Sequence, residues 1–173
     1  LHTMHLTPTL KALGLAGCMA PLAVLAEELP APEGDVILTV TGAIANTNDG
    51  DAAKFDRAML EALENRTFET STIWTDGTHA YTGVPISVLM ETVGATGSGI
   101  AATAINDYSV DIPASDFADD GPILAHLMDG QPMSVRNKGP LWVIYPFDEN
   151  PEYRAEVIYS RSIWQVERIT VQE

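Results

Sequence analysis

Tyr81-Thr82-Gly83-Val84-Pro85-Ile86-Ser87-Val88-Leu89-Met90, followed by Gly94, is the stretch on which the fold turns. Pro85 suits the first turn of a helix, where its missing N–H would have had no intrahelical partner. Ile86, Leu89, Met90 and Val93 then fall on one side at helical spacing, and Gly94 supplies a stop. Upstream, Phe68 to Trp74 is rich in threonine, isoleucine and aromatic residues and reads as a strand. Between them lies a polar strand-to-helix connection that carries Trp74, Asp76, His79 and Tyr81.

Working outward, Val36-Ile37-Leu38-Thr39-Val40-Thr41-Gly42 alternates and is β-branched, a first strand. Phe55, Met59, Leu60 and Leu63 share a helical face, which predicts an amphipathic helix over Ala52 to Glu64. Ala101 to Ile105 and Tyr108 to Ile112 read as strands around the polar corner Asn106-Asp107. Pro122 opens an expected short helix through Ile123, Leu124, Leu127 and Met128, stopped at Gly130. Leu141 to Tyr145 is a continuous apolar run between prolines, a buried strand. Ile163 to Val171 alternates but changes phase at Glu167-Arg168, which indicates a bulge. Short strands and short helices without regular βαβ spacing give an α+β class: a strand-rich, mixed-sheet or barrel-like core with short helices.

The start of the chain has a different character. Lys11 precedes a run of small and apolar residues from Ala12 to Ala26, and the acids begin at Glu27 and Glu28. A basic flank, an apolar run and Val24-Leu25-Ala26 read as a signal peptide over residues 1–26, with a periplasmic domain over residues 27–173. Leu15-Ala16-Gly17-Cys18 resembles a lipoprotein box, but only six residues separate Lys11 from Cys18. Cleavage after Ala26 removes the only cysteine, and with it disulfides, thiolate catalysis and cysteine metal sites. It also removes Lys11 while keeping all 24 acids, which takes the formal charge from −15 to −16. Nucleic acid and anionic membrane surfaces both require a basic face, so neither is expected as a partner, and no segment is expected to insert in a membrane after processing.

The ordered pieces resemble a known family. Trp74-Thr75-Asp76-Gly77 with Tyr81-Thr82-Gly83-Val84-Pro85 is similar to a signature of the sulfite-oxidase-type molybdopterin-binding family. There, a strand with the catalytic cysteine leads to a tryptophan and an aromatic-x-Gly-Val-Pro turn. Asp129-Gly130-Gln131-Pro132, Gly139-Pro140-Leu141-Trp142 and Ile163-Trp164-Gln165-Val166 resemble its later steps in the same order. The resemblance implies that fold. It also exposes a departure: where related bacterial members carry the molybdenum-ligating cysteine, this chain has Thr70, beside Ser71 and Thr72. A threonine hydroxyl is a poor replacement for a soft thiolate. The resemblance extends to small secreted relatives without the cysteine, some of which are pterin-binding regulators of membrane-bound cyclic-di-GMP enzymes. It therefore implies a non-catalytic module for a pterin or similar heteroaromatic, signalling to a membrane-bound partner, with molybdopterin second to a free pterin. The alternative is a molybdopterin-dependent oxidoreductase with an unusual metal ligand set.

A pterin needs a carboxylate for its amino edge, donors for its carbonyl and ring nitrogens, and an aromatic or guanidinium surface for its ring. Trp74, Asp76, His79 and Tyr81 offer these on one connection, Asn106 and Asp107 on the next corner, and Arg136 and Lys138 in a compact basic cluster. Each also has an ordinary reading. Trp74 and Trp164 fit a core, Asp76-Gly77 and Asn106-Asp107 fit turns, and Arg136 fits a salt bridge. His126 reads as structural. The sequence offers no catalytic residue by this reading, no zinc constellation and no phosphate loop, and Asn46 to Asp51 places a glycine where a calcium loop needs an oxygen ligand.

Overall fold

The computed structural model describes residues 28–173; the expected signal peptide, with Lys11 and Cys18, lies outside them. Chain order is β1 (Val36–Gly42), β2 (Ala53–Asp56), α1 (Arg57–Ala62), β3 (Arg66–Thr72), β4 (Thr75–Pro85), α2 (Ile86–Thr92), β5 (Gly99–Ala104), β6 (Ser109–Pro113), β7 (Ile123–Met128), β8 (Gln131–Pro132), β9 (Trp142–Ile144), α3 (Glu156–Arg161) and β10 (Val166–Gln172). One sheet has the order β2-β1-β10-β5-β6. The other runs β3-β4-β7-β8, with β9 pairing the other end of β7. Of the strand pairs, β1 with β10 is parallel and the rest are antiparallel. This is the expected strand-rich α+β architecture.

Local chemistry accounts for most elements. In β1 the buried Leu38 and Val40 alternate with half-buried neighbours, as a strand with one core face requires. In β10 the buried set is Val166, then Ile169 and Val171, and the register against β5 shifts between Val166 and Arg168. That is the bulge the phase change announced. α2 starts behind Pro85 and buries Ile86, Leu89 and Met90, while Gly94 takes φ +61° just beyond its end.

Three expectations are corrected. The helix read over Ala52 to Glu64 is split: Ala53 and Phe55 point into the core from β2, paired with β1, and only Arg57–Ala62 is helical. Asp56 makes the switch. Its buried carboxylate accepts from Met59 N at 2.9 Å as the helix cap and from Glu33 N and Gly34 N at 2.8 Å. The helix read after Pro122 is the central strand β7, flanked by β4 on one side and by β8 and β9 on the other. Covered on both faces, it shows no period-2 alternation by which to recognise it. The connection read before α2 is itself the eleven-residue strand β4.

At the β4–β7 crossing the register shifts between Thr82 and Gly83. A Cβ on Gly83 would lie 2.2 Å from Leu124 O and 2.5 Å from Ala125 Cα. Only glycine permits that backbone approach.

The larger buried cluster lies against the first sheet and α2, and a smaller one, with Tyr81 and Trp142 at its centre, lies under the second sheet. Trp74, at the tip of the β3–β4 hairpin, packs against both.

Candidate functional site

The two sheets meet at an aromatic cluster. Trp74 sits edge-on to Trp142, Phe147, Tyr159 and Trp164, with ring centres 5.8–6.2 Å apart. Trp142 belongs to β9, anchored through its indole N–H to Ser162 O at 3.1 Å. Trp164 is held beside it by an isolated antiparallel bridge between the two tryptophans. Trp164 is 37% exposed, far from the complete burial of Trp142.

One end of this cluster opens into a cleft of about 290 Å³, with Asn106, Tyr108, Tyr159, Ser162, Trp164 and Gln165 in its wall. Such a volume suits a small bicyclic ligand, at the low end of small-molecule sites. Lys138 hangs its ammonium over Trp164, 5.0 Å from the ring centre, and 5.7 Å from that of Trp142. Gln165 adopts φ +56° and Lys138 φ +69°, left-handed conformations that non-glycine residues seldom take. Gln165 N donates to Lys138 O at 3.1 Å, its Nε2 donates to Val135 O at 2.7 Å, and its own carbonyl accepts from Ile105 N at 3.0 Å. These bonds impose the strained backbone and leave Gln165 Oε1 without a partner among the described residues. Asn106 uses its oxygen on Tyr108 N at 3.2 Å and keeps its NH₂ free in the same sense. The wall thus offers a donor amide, an acceptor amide and an indole, and Lys138, which does not line the cleft, stands over that indole.

The other end of the cluster holds a smaller cavity of about 100 Å³, lined by Ser71, Thr72, Ile73, Phe147, Arg154 and Tyr159 but not by Thr70. Thr70 is wholly buried, and its hydroxyl is used twice: it donates to Ser71 O at 3.2 Å and accepts from Asp148 N at 3.1 Å. Asp148 in turn accepts from Ser71 N and Ser71 Oγ, each at 2.7 Å, and pairs with Arg154. Burial opposes its charge, yet the Ser71 and Arg154 bonds hold the carboxyl below the usual carboxylate range.

The remaining predicted residues are distributed as follows. Tyr81 is fully buried against Trp142, and burial pushes its phenol up. His79 lies farther along β4, where Nδ1 meets Asp129 Oδ2 at 2.7 Å and Nε2 meets Asp76 O at 2.9 Å. With both ring nitrogens facing acceptors, the hydrogen bond to Asp129 raises its pKa above the usual histidine value. Asp76 is exposed at the same place, and neither it nor His79 lines the cleft. Asp107 takes φ +66° at the β5–β6 corner and is paired with Arg168. Arg136 is exposed on the short 3-10 turn Val135–Asn137, adjoining the Gln165 contact. The fold therefore brings Trp74, Asn106 and Lys138 to one region and leaves Asp76, His79 and Tyr81 outside it. Tyr108, Tyr159, Trp164 and Gln165 are site residues the sequence reading did not select. Trp164 was visible as an aromatic, but its exposure is a consequence of tertiary placement. His126 is on a strand, not a helix; it is buried, with Nε2 2.6 Å from Asn65 Oδ1.

Residues 54–149 match the model of the oxidoreductase molybdopterin binding domain. The chain belongs to that sulfite-oxidase-type family. The crystal structure of the sulfane dehydrogenase SoxCD from Paracoccus pantotrophus shares the fold, with a TM-score of 0.58 and 17% identity over 78% of this chain and 37% of that one. The chain thus spans just over a third of that protein's length. No curated protein matches the sequence.

The family's metal cofactor can be tested against the donors present. The described residues contain no cysteine, and the position that resembles the ligand site holds a hydroxyl enclosed by its own hydrogen bonds. No group of three or more histidine, cysteine, aspartate or glutamate side chains suited to a metal ion occurs among the described residues. This donor set does not fit thiolate-held molybdenum.

Proposed function

We propose that this molybdopterin-binding-domain protein is a non-catalytic module that takes a pterin or similar heteroaromatic beside Trp164. It acts in the periplasm and passes its ligand state to a membrane-bound signalling protein such as a cyclic-di-GMP enzyme. The observation that carries the binding reading is the pairing of an open, cation-topped indole cleft with a sealed Thr70. In this reading the ring stacks on Trp164, Lys138 and the Asn106 amide donate to the pterin carbonyl and ring nitrogens, and Gln165 Oε1 accepts from the amino edge.

Calorimetric titration of oxidised and reduced pterins tests it. A charge-assisted hydrogen bond is worth about 1.5–3 kcal/mol, so Lys138→Ala should weaken binding by roughly ten- to a hundredfold. Trp164→Ala should cost a similar amount, since stacking on an aromatic ring contributes about 1–3 kcal/mol. Asp51→Asn, on an exposed loop, should leave affinity unchanged. No heat with any pterin in folded, ligand-free protein would overturn the reading. So would near-stoichiometric molybdenum in protein purified from its native source.

A further inference from the structure

Most of the large apolar side chains that remain exposed lie together. Ile105, Tyr108, Val135, Val157 and Trp164 adjoin the open end of the aromatic cluster, while Ile73 lies at the Thr70 end and Val36 on β1. Tyr108 and Trp164 form the cleft wall, and Ile105 and Val135 are hydrogen-bonded through their backbones to Gln165. Val157 lies one turn before Ser160 of the cleft wall on α3. An apolar rim on an otherwise charged surface marks a contact surface.

The charges identify what would cover it. Lys54, Arg66, Arg154, Arg161 and Arg168 are each paired with a carboxylate of this chain. Three cations have no ion pair among the described residues. Of these, Arg57 lies on α1 with a guanidinium nitrogen buried, and the other two, Arg136 and Lys138, stand beside the exposed apolar side chains. That combination is complementary to a protein surface with a large apolar side chain flanked by aspartate or glutamate. An anionic bilayer would be repelled by the rest of the molecule.

We infer that the rim of Val135, Arg136, Val157 and Trp164 is a docking surface for an acidic, apolar segment of a partner protein. This rests on the proposed signalling role and names the surface that would serve it. Lys138 is shared with the proposed pterin site, so Arg136 provides the independent test.

A photocrosslinking amino acid is placed at Val135, at Val157 or at Val36 of the full chain in its native cells. Adducts are expected at the first two positions and not at the third, on a protein whose crosslinked peptide carries acids beside a large apolar residue. Arg136→Glu should reduce the Val157 adduct by about fivefold or more, and lysine in place of the mapped partner acids should restore it. Adducts equal at Val36, adducts only to lipid or to a second copy, or indifference to Arg136→Glu would overturn the proposal. Pterin titration of the same variants separates the two readings. Adduct loss with intact pterin binding is the expected Arg136→Glu result. Failed pterin binding with intact adducts removes the pterin reading alone.

Discussion

The two ends of the aromatic cluster around Trp74 are built from similar materials and treated in opposite ways. At the Thr70 end the side chains of Thr70, Ser71 and Asp148 are spent internally: hydroxyl to carbonyl, amide to hydroxyl, carboxylate to serine and arginine. At the Trp164 end the Asn106 NH₂ and Gln165 Oε1 are left without protein partners among the described residues, and the Lys138 ammonium stands over the indole. Satisfying a polar group internally stabilises a fold, and leaving it open reserves it for something else. The position that resembles the family's reactive one has become a structural tie, while the adjacent ligand-sized space persists.

The largest effect should come from removing the ring that joins the two ends. Trp74→Ala loses edge contacts to four aromatic neighbours, and truncation of a large core aromatic costs about 3–5 kcal/mol. With Trp74 only half-buried, the lower figure is expected from urea unfolding. A loss below about 1 kcal/mol would mean that the ends are independent and the comparison is void. Thr70→Val should cost about 1–3 kcal/mol, because Asp148 N–H loses its acceptor, and pterin affinity should not change. A sharper version is Thr70→Cys in a Cys18→Ser background. Its thiol should be labelled at least about a hundredfold more slowly in the folded protein than in urea, since reactivity requires access as well as thiolate. Rapid labelling would show that position 70 is not sealed.

Much of this architecture was readable where a pattern is local. β1, the β5–β6 corner, α2 and the bulge in β10 each carry their own alternation, cap or stop. β7 does not, because burial on both faces erases its period and Pro122 and Gly130 imitate helix punctuation. β4 contains Asp76, Gly77 and His79, which look like a loop until pairing with β3 and β7 orders them. α3 is six residues long and buries only Ile158, too little for a periodic signal. Around the cleft, Trp74, Asn106 and Lys138 could be proposed as polar or aromatic residues near resembling motifs. Gln165 could not, since its role follows from a left-handed backbone imposed by three tertiary hydrogen bonds.

The smallest expected effect lies outside both ends and serves as their control. His79 has its pKa raised chiefly by the hydrogen bond to Asp129. The stability it contributes is therefore fully present below the ordinary histidine pKa and is lost as pH rises through the elevated one. His79→Asn should remove that pH dependence from urea midpoints and leave pterin affinity alone. His126 runs the other way. Burial lowers its pKa, so its contribution is present above the ordinary histidine value and declines as pH falls through it toward the depressed one. A cleft affinity that followed His79 would tie β4 to the ligand and blur the contrast.

The first sheet has a temporal consequence as well as a spatial one. Its order β2-β1-β10-β5-β6 puts the final strand in the middle. Until residue 172 has left the ribosome, β1–β2 and β5–β6 are two separate hairpin pieces with no hydrogen-bonded neighbour between them. Closing that gap joins β1 to β10 in parallel across most of the chain, a slow, long-range step. The first sheet of a nascent chain stays open, and its two hairpins apart, until β10 has been made.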